Sequence, residues 1–267
     1  MTGHAMAFGG LFSLLAACPA SGLFAGEAKA PRNLVPNGDF EKGSGDRPAD
    51  WQRPDGLTTF WVKSTDRKGR HIQIDTDVLA SQFREREDEM RRASEEKKEP
   101  GPPPRRKPTR DPKYDTVAGL DGVHYASAEI PFKAGKYYKL LVDVKVDGRA
   151  SPKVWVKAYA TVPRRTAASS DVERKRVVWK KGLDCEGASS RWRTYSTVFQ
   201  VKTSPPLVAE TLKVMLYPYW PPATFHFDDV RLFEISEAEA RAFEAESGKT
   251  RKAAPLERNG GTGGEGE

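Results

Sequence analysis

Tyr137-Tyr138-Lys139-Leu140-Leu141-Val142-Asp143-Val144-Lys145-Val146 is the stretch on which the fold turns. Tyr138, Leu140, Val142, Val144 and Val146 alternate with Lys139, Leu141, Asp143 and Lys145. Successive side chains of a strand point to opposite sides, so a period of two separates the apolar set from the mixed set. One face then lies on a core and the other toward water, the habit of antiparallel sheets. Lys133-Ala134-Gly135-Lys136 reads as the turn before this strand and Asp147-Gly148 as the turn after it, with Val123 to Phe132 and Lys153 to Val162 as further strands.

The same pattern continues outward. Upstream, Asn37-Gly38 is a turn dipeptide, Pro48 and Pro54 interrupt, and Thr58 to Val62 and Gly69 to Asp75 read as strands. Downstream come a basic, Ser-rich loop from Pro163 to Arg176 and strand segments at Val177 to Lys180, Trp192 to Val201, Thr211 to Leu216 and Phe225 to Phe233. Many short strands with turn signals and few helical patterns predict an all-β, antiparallel β-sandwich over residues 31–235. One stretch breaks the pattern, at residues 80–113. Gln82 to Lys98 is almost wholly charged with good helix formers, and Glu99 to Pro112 is Pro-rich and basic. It is expected as a solvated helix running into a flexible loop, a charged and partly helical insert. A basic arm of Arg105, Arg106, Lys107 and Arg110 that grips a polyanion is the functional alternative. Over residues 236–267, Ser236-Glu237-Ala238-Glu239 has the form of a capping box and predicts a short helix to about Glu246, followed by an unstructured tail.

Ahead of the sandwich, residues 1–30 read as an export signal. An apolar stretch from Ala7 to Ala17 is too short to span a bilayer and is followed by small residues. Leu15-Ala16-Ala17-Cys18 has the form of a lipobox, in which Cys18 would be lipidated, and Ala28-Lys29-Ala30 that of an ordinary cleavage site; both routes stay open. The n-region carries no Lys or Arg, which leaves a buried N-terminal helix as the competing reading. The chain is therefore expected to be exported, whether secreted, periplasmic or lipid-anchored, with membrane contact only through Cys18. The only cysteines are Cys18 and Cys185, so no disulfide framework is available, and Cys185 has no histidine near it in sequence to activate it. A formal charge of +7 favours polyanionic partners. For an exported chain this points to a polysaccharide or cell-envelope glycan, acidic ones included, ahead of nucleic acid.

Four segments carry a resemblance. Asn33-Leu34-Val35-Pro36-Asn37-Gly38-Asp39-Phe40-Glu41 with Pro48-Ala49-Asp50-Trp51 resembles the opening of CenC-like carbohydrate-binding modules of families 4 and 9. Gly135-Lys136-Tyr137-Tyr138-Lys139-Leu140 resembles their central strand. Phe225-His226-Phe227-Asp228-Asp229-Val230-Arg231-Leu232 resembles their last strand, and Trp192-Arg193-Thr194-Tyr195-Ser196 with Phe199 the Trp-x-x-Tyr strand between those two. The resemblance implies a galactose-binding-like jelly roll with core tryptophans at Trp51 and Trp192. It also implies a structural Ca²⁺ between the first and last strands, with Glu41 and Asp228 as side-chain ligands and carbonyls near Asp39. By its own position, Asp228 shares a strand face with Val230 and Leu232 and should be buried, so it needs either a cation or hydrogen-bond donors.

Sugars are held by rings that stack on their C–H faces. Trp155 and Tyr159 share one face of a strand with Lys153 and Lys157, which is poor core material and suits an open surface. Tyr217-Pro218-Tyr219-Trp220-Pro221-Pro222 holds three more rings, either as a stacking platform or as a hydrophobic plug over the end of the sandwich. Trp155, Tyr159, Tyr217, Tyr219 and Trp220 are thus the candidate ligand residues, while Trp61 and Trp179 are undecided. No paired carboxylates, Gly-x-Ser-x-Gly elbow, phosphate loop or His-rich motif points to catalysis. The reading is a non-catalytic saccharide-binding module, against the alternative of a cell-envelope scaffold whose basic insert contacts an anionic partner.

Overall fold

The computed structural model describes residues 31–162 and 174–253. Cys18 with the rest of the expected signal, most of the basic loop after Val162, and the residues after Ala253 lie outside the described residues. The described chain runs β1 (Gly43–Ser44), β2 (Arg47–Pro48), β3 (Thr59–Lys63), β4 (Arg70–Asp75), α1 (Ala80–Glu95), α2 (Val117–Leu120), β5 (Tyr125–Ala126) and β6 (Ile130–Pro131). It continues with β7 (Tyr137–Asp147), β8 (Lys153–Val162), β9 (Arg174–Asp184), β10 (Arg193–Gln200), β11 (Thr211–Tyr217), β12 (Thr224–Ile235) and α3 (Glu237–Ala253).

Two antiparallel sheets form a jelly-roll sandwich. One has the order β10-β7-β12-β4-β3 and the other β5-β11-β8-β9, with β6 also paired to β11. Their inner faces share a core. Tyr138, Leu140, Val142, Val144 and Val146 of β7 are fully buried, as their period of two requires, and meet Val154 and Val156 of β8 and Leu212, Val214 and Leu216 of β11. Each fully buried aliphatic or aromatic side chain contributes roughly 1.5–3 kcal/mol to burial. Trp51 belongs to this core, against Phe40 and Tyr125. Trp192 does not: it sits half-buried on the outer face of the first sheet, with its ring over Arg67. Trp61 and Trp179 pack against the rim of the core.

The N-terminal segment is sewn onto the last strand. Leu34 N donates to Leu232 O, Asn33 bonds both Val230 O and Leu232 N, and Val230 N donates to Gly38 O. At that point β12 bulges: its pairing with β7 shifts register between Asp228 and Arg231, and Asp229 is left-handed at φ 50. The extra residue reverses the alternation. Phe225 and Phe227 face the core before the bulge, and Val230 and Leu232 after it. Asp228 therefore lies on the outer face with His226, not on the inner face that plain alternation with Val230 and Leu232 predicts.

The charged insert is largely exposed, as its composition predicts, but its helix is also docked on the sandwich. Its ends are closed by a bridge between Leu79 and Thr116. Gln82 and Arg86 of α1 are buried. The Arg86 guanidinium donates to Asp55 O and Gly101 O and pairs with Glu89, while the Gln82 amide donates to Arg105 O and accepts from Lys107 N. Of the expected basic arm, Arg106 is spent on Asp75 and on Asp77 O. Side-chain amide and guanidinium donors aimed at backbone carbonyls hold the segment where apolar residues are too few. Arg86→Ala is accordingly expected to cost about 2 kcal/mol and to expose the α1 amides to hydrogen exchange without unfolding the sheets. The capping box forms as predicted, with Ser236 and Glu239 bonding each other's backbone N–H, and α3 runs beyond Glu246 to Ala253.

Candidate functional site

The outer face of the second sheet collects what the sequence placed on β8. Val154, Val156, Ala158 and Ala160 point into the core, so Lys153, Trp155, Lys157 and Tyr159 line the other side, each half-buried. Antiparallel pairing sets them beside Tyr217, Met215, Lys213 and Thr211 of β11 in turn. Trp155 and Tyr159, four residues apart, stand about 13 Å from each other along the strand. On the far side Trp155 pairs with Gly182 of β9, where a Cβ would meet the indole at 3.0 Å. The missing side chain lets the ring lie close over β9.

A lysine approaches three of the rings. Lys180 Nζ lies 5.3 Å from the Trp155 ring, Lys213 Nζ 5.6 Å from Tyr159 and Lys153 Nζ 5.7 Å from Tyr219. Lys153 also pairs with Asp184 at 3.1 Å and Lys213 with Glu129 at 3.8 Å. Lys157 and Lys180 enter no ion pair among the described residues. Burial, and then the Lys180 ammonium, hold the Lys157 amine below the usual lysine range. Exposed cation–π contacts are worth only about 0.5–1 kcal/mol, so an incoming ligand can displace them. At the end of the face Tyr217 and Tyr219 stack at 5.1 Å and 15°, and His124 packs on Tyr217 at 4.8 Å. The structure thus brings Trp155, Tyr159, Tyr217 and Tyr219 to one side of the domain. Trp220 is 43% exposed and makes no ring contact with them among the described residues.

A separate polar cluster occupies the outer face of the first sheet. Ser64 Oγ lies 2.6 Å from His71 Nδ1, His71 Nε2 lies 2.9 Å from His226 Nδ1, and His226 Nε2 lies 3.0 Å from Asp147 Oδ2. An ionised carboxylate only accepts, so His226 carries its proton on Nε2, His71 donates from Nε2, and the Ser64 hydroxyl donates to His71 Nδ1. Trp192 packs edge-on against both imidazoles and donates to Asp66. Beside them Arg67 donates to Asp143 at 3.0 Å and forms an ion pair with Asp228 at 3.3 Å. Sequence reasoning missed this chain, because its four members are scattered over strands and turns and only tertiary pairing aligns them.

The proposed metal ligands are engaged by different donors. Glu41 Oε1 accepts from Arg70 N at 2.8 Å, and Asp228 accepts from Asp229 N and faces the Arg67 guanidinium. Burial raises the Asp228 carboxyl to about 7 against the pull of the Asp229 N–H and Arg67. The two expected ligands thus face protein donors, Asp228 a guanidinium and an amide N–H and Glu41 a backbone N–H. Among the described residues no group of three or more His, Cys, Asp or Glu side chains is arranged to hold a metal ion. Cys185 is buried, and burial pushes its thiol well above the usual range, which leaves it a packing residue.

No protein-family model matches the chain, and no curated protein does. Among solved structures it is similar to a family 16 carbohydrate-binding module at 13% identity, covering 76% of this chain and 100% of that one with a TM-score of 0.42. It is similar to a family 4 carbohydrate-binding module at 14% identity, covering 75% and 99% with a TM-score of 0.35. The xylan-binding family 22 module of Paenibacillus barcinonensis is a third, at 12% identity over 78% and 98% with a TM-score of 0.38.

Proposed function

We propose that the chain is an exported, non-catalytic module that binds a poly- or oligosaccharide, acidic in character, on the outer face of β8, β9 and β11. The observation that carries the reading is the shared placement of Trp155 and Tyr159 with Lys153, Lys157, Lys180 and Lys213 on one open sheet face, continued by Tyr217 and Tyr219. Rings supply stacking for the apolar side of a sugar, and the ammonium groups that hover over them supply partners for carboxylate or sulfate. A scaffold gains nothing by presenting such a surface to water. On the opposite sheet face, by contrast, Arg67 is paired with Asp143 and Asp228 and Lys145 with Asp66.

Export rests on residues 1–30, and the non-catalytic reading on a sequence without a motif that pairs carboxylates or activates a nucleophile. The test is affinity electrophoresis of the purified chain through neutral, carboxylated and sulfated polysaccharides. Trp155→Ala is expected to weaken retention roughly 10-fold without changing the melting temperature, an effect of about 1–2 kcal/mol. Retention should fall steeply with ionic strength if the lysines contribute. Retention on no polysaccharide, by a chain shown to be folded, would refute the reading.

A further inference from the structure

Between α1 and the sandwich lies a cavity of about 600 Å³, within the range of small-ligand sites. Its apolar side is formed by Phe83 and Met90 of the insert and by Val123 and Tyr125 of the sandwich. At its rim two arginines of the sandwich, Arg47 and Arg53, converge on a single carboxylate of the insert. Arg47 Nη2 reaches Glu99 Oε1 at 2.6 Å and Oε2 at 2.8 Å, and Arg53 Nη1 reaches Oε2 at 2.5 Å. The Glu99 side chain is 71% exposed, so little besides these arginines holds it there. Asp46 Oδ2 accepts from Arg53 Nε at 3.3 Å and Nη2 at 3.0 Å and so orients that guanidinium, leaving Arg53 Nη1 and Arg47 Nη2 as the donors to the carboxylate.

His124 joins the cavity to the proposed saccharide face. It lines the cavity on one side and packs on Tyr217 on the other, and Tyr217 stacks on Tyr219. A chain of sugars crossing the aromatic face would reach the cavity mouth at this end.

We propose that this cavity is a second ligand site, specific for a carboxylate-bearing sugar. Arg47 and Arg53 form its anion subsite, and the Glu99 carboxylate is an intramolecular stand-in for the sugar's own. Recognition of a carboxylate follows from the arginine pair alone; that its bearer is a sugar rests on the saccharide reading of the adjoining face. The insert then acts as a tethered competitor. Binding of a uronic acid exchanges one carboxylate for another and frees the segment after α1, with no covalent step. A tethered group competes at an effective concentration in the millimolar range, which masks a weak site.

The test titrates the full chain with a hexuronate and its oligomers, and with the neutral hexose as control, following binding by calorimetry. Glu99→Gln keeps the side-chain volume and removes the competing charge, and is expected to raise hexuronate affinity at least 10-fold over the unsubstituted chain while leaving neutral sugar unchanged. Arg53→Ala in the Glu99→Gln background should abolish the gain. Trp155→Ala separates the two sites: it should weaken polymer retention and leave the hexuronate response of Glu99→Gln intact. Equal affinities of Glu99→Gln and the unsubstituted chain for the hexuronate overturn the cavity proposal, whether or not polysaccharide is retained. A hexuronate response with no polysaccharide retention would instead leave the cavity standing and remove the aromatic face. A response to acidic peptides equal to that for hexuronates would overturn the sugar assignment.

Discussion

Gly38→Ala is expected to destabilise the sandwich by at least about 3 kcal/mol, a loss that brings a domain of ordinary stability close to unfolding at 37 °C. A Cβ at position 38 would lie 1.9 Å from Val230 O and 3.0 Å from its carbonyl carbon. Both are backbone atoms in the bulge of β12, so no rotamer change can make room. Separation of the two segments would break the bond from Val230 N to Gly38 O at 2.7 Å and disturb the two bonds Asn33 makes to β12. It would also unseat Phe40, which is fully buried two residues on. Urea denaturation read by tryptophan fluorescence measures the loss. A midpoint unchanged within error would show that the N-terminal segment does not stabilise the last strand.

The second large effect is in the pH dependence of stability. His71 is depressed to about 4, by burial first and then by the nearby His226 and Lys145 charges. His226 is depressed as well, burial outweighing the pull of Asp147. A group depressed in the folded state lets the unfolded chain bind protons first. Stability from the pair is therefore complete above about pH 6.5 and falls as the pH drops toward 4, by on the order of 3 kcal/mol for His71 alone at about 1.4 kcal/mol per unit. Asp228 works in the opposite direction. Raised to about 7, it takes up its proton in the folded state first, so its contribution is complete below about pH 3.8 and is lost as the pH rises through 7. The two effects share one window and oppose each other. The unsubstituted chain should then show a shallow profile between pH 7 and pH 4, whereas Asp228→Asn should lose on the order of 3 kcal/mol across it. His71→Gln should show the reverse slope. Denaturant midpoints at successive pH values decide this, and parallel profiles for the three chains would rule out the opposition.

The alternation on β7 and β8 was legible because period two needs no knowledge of the partner. It placed Tyr138 to Val146 in the core and Lys153, Trp155, Lys157 and Tyr159 outside it. The capping box at Ser236 was equally local, since both partners lie within one turn of chain. Asp228 was misplaced because a bulge inverts the alternation, and a single left-handed residue such as Asp229 leaves no periodic trace. Trp192 was misplaced because the same composition serves a core ring and a ring lying over Arg67. The charged insert promises little apolar burial, and most of its residues are indeed exposed. What docks it are hydrogen bonds from Gln82 and Arg86 to backbone carbonyls up to 31 residues distant.

By itself the sequence determined the antiparallel sandwich, the faces of β7 and β8 and the candidate rings, because strand periodicity and turn chemistry act between near neighbours. Only the tertiary structure decided which rings share a surface, which lysines stand over them, and which charges are matched. It alone aligned Ser64, His71, His226 and Asp147, and brought Glu99 between Arg47 and Arg53. Those outcomes depend on strand order and on the bulge in β12, and both are set by how the two sheets bury a common core rather than by any local preference of the chain.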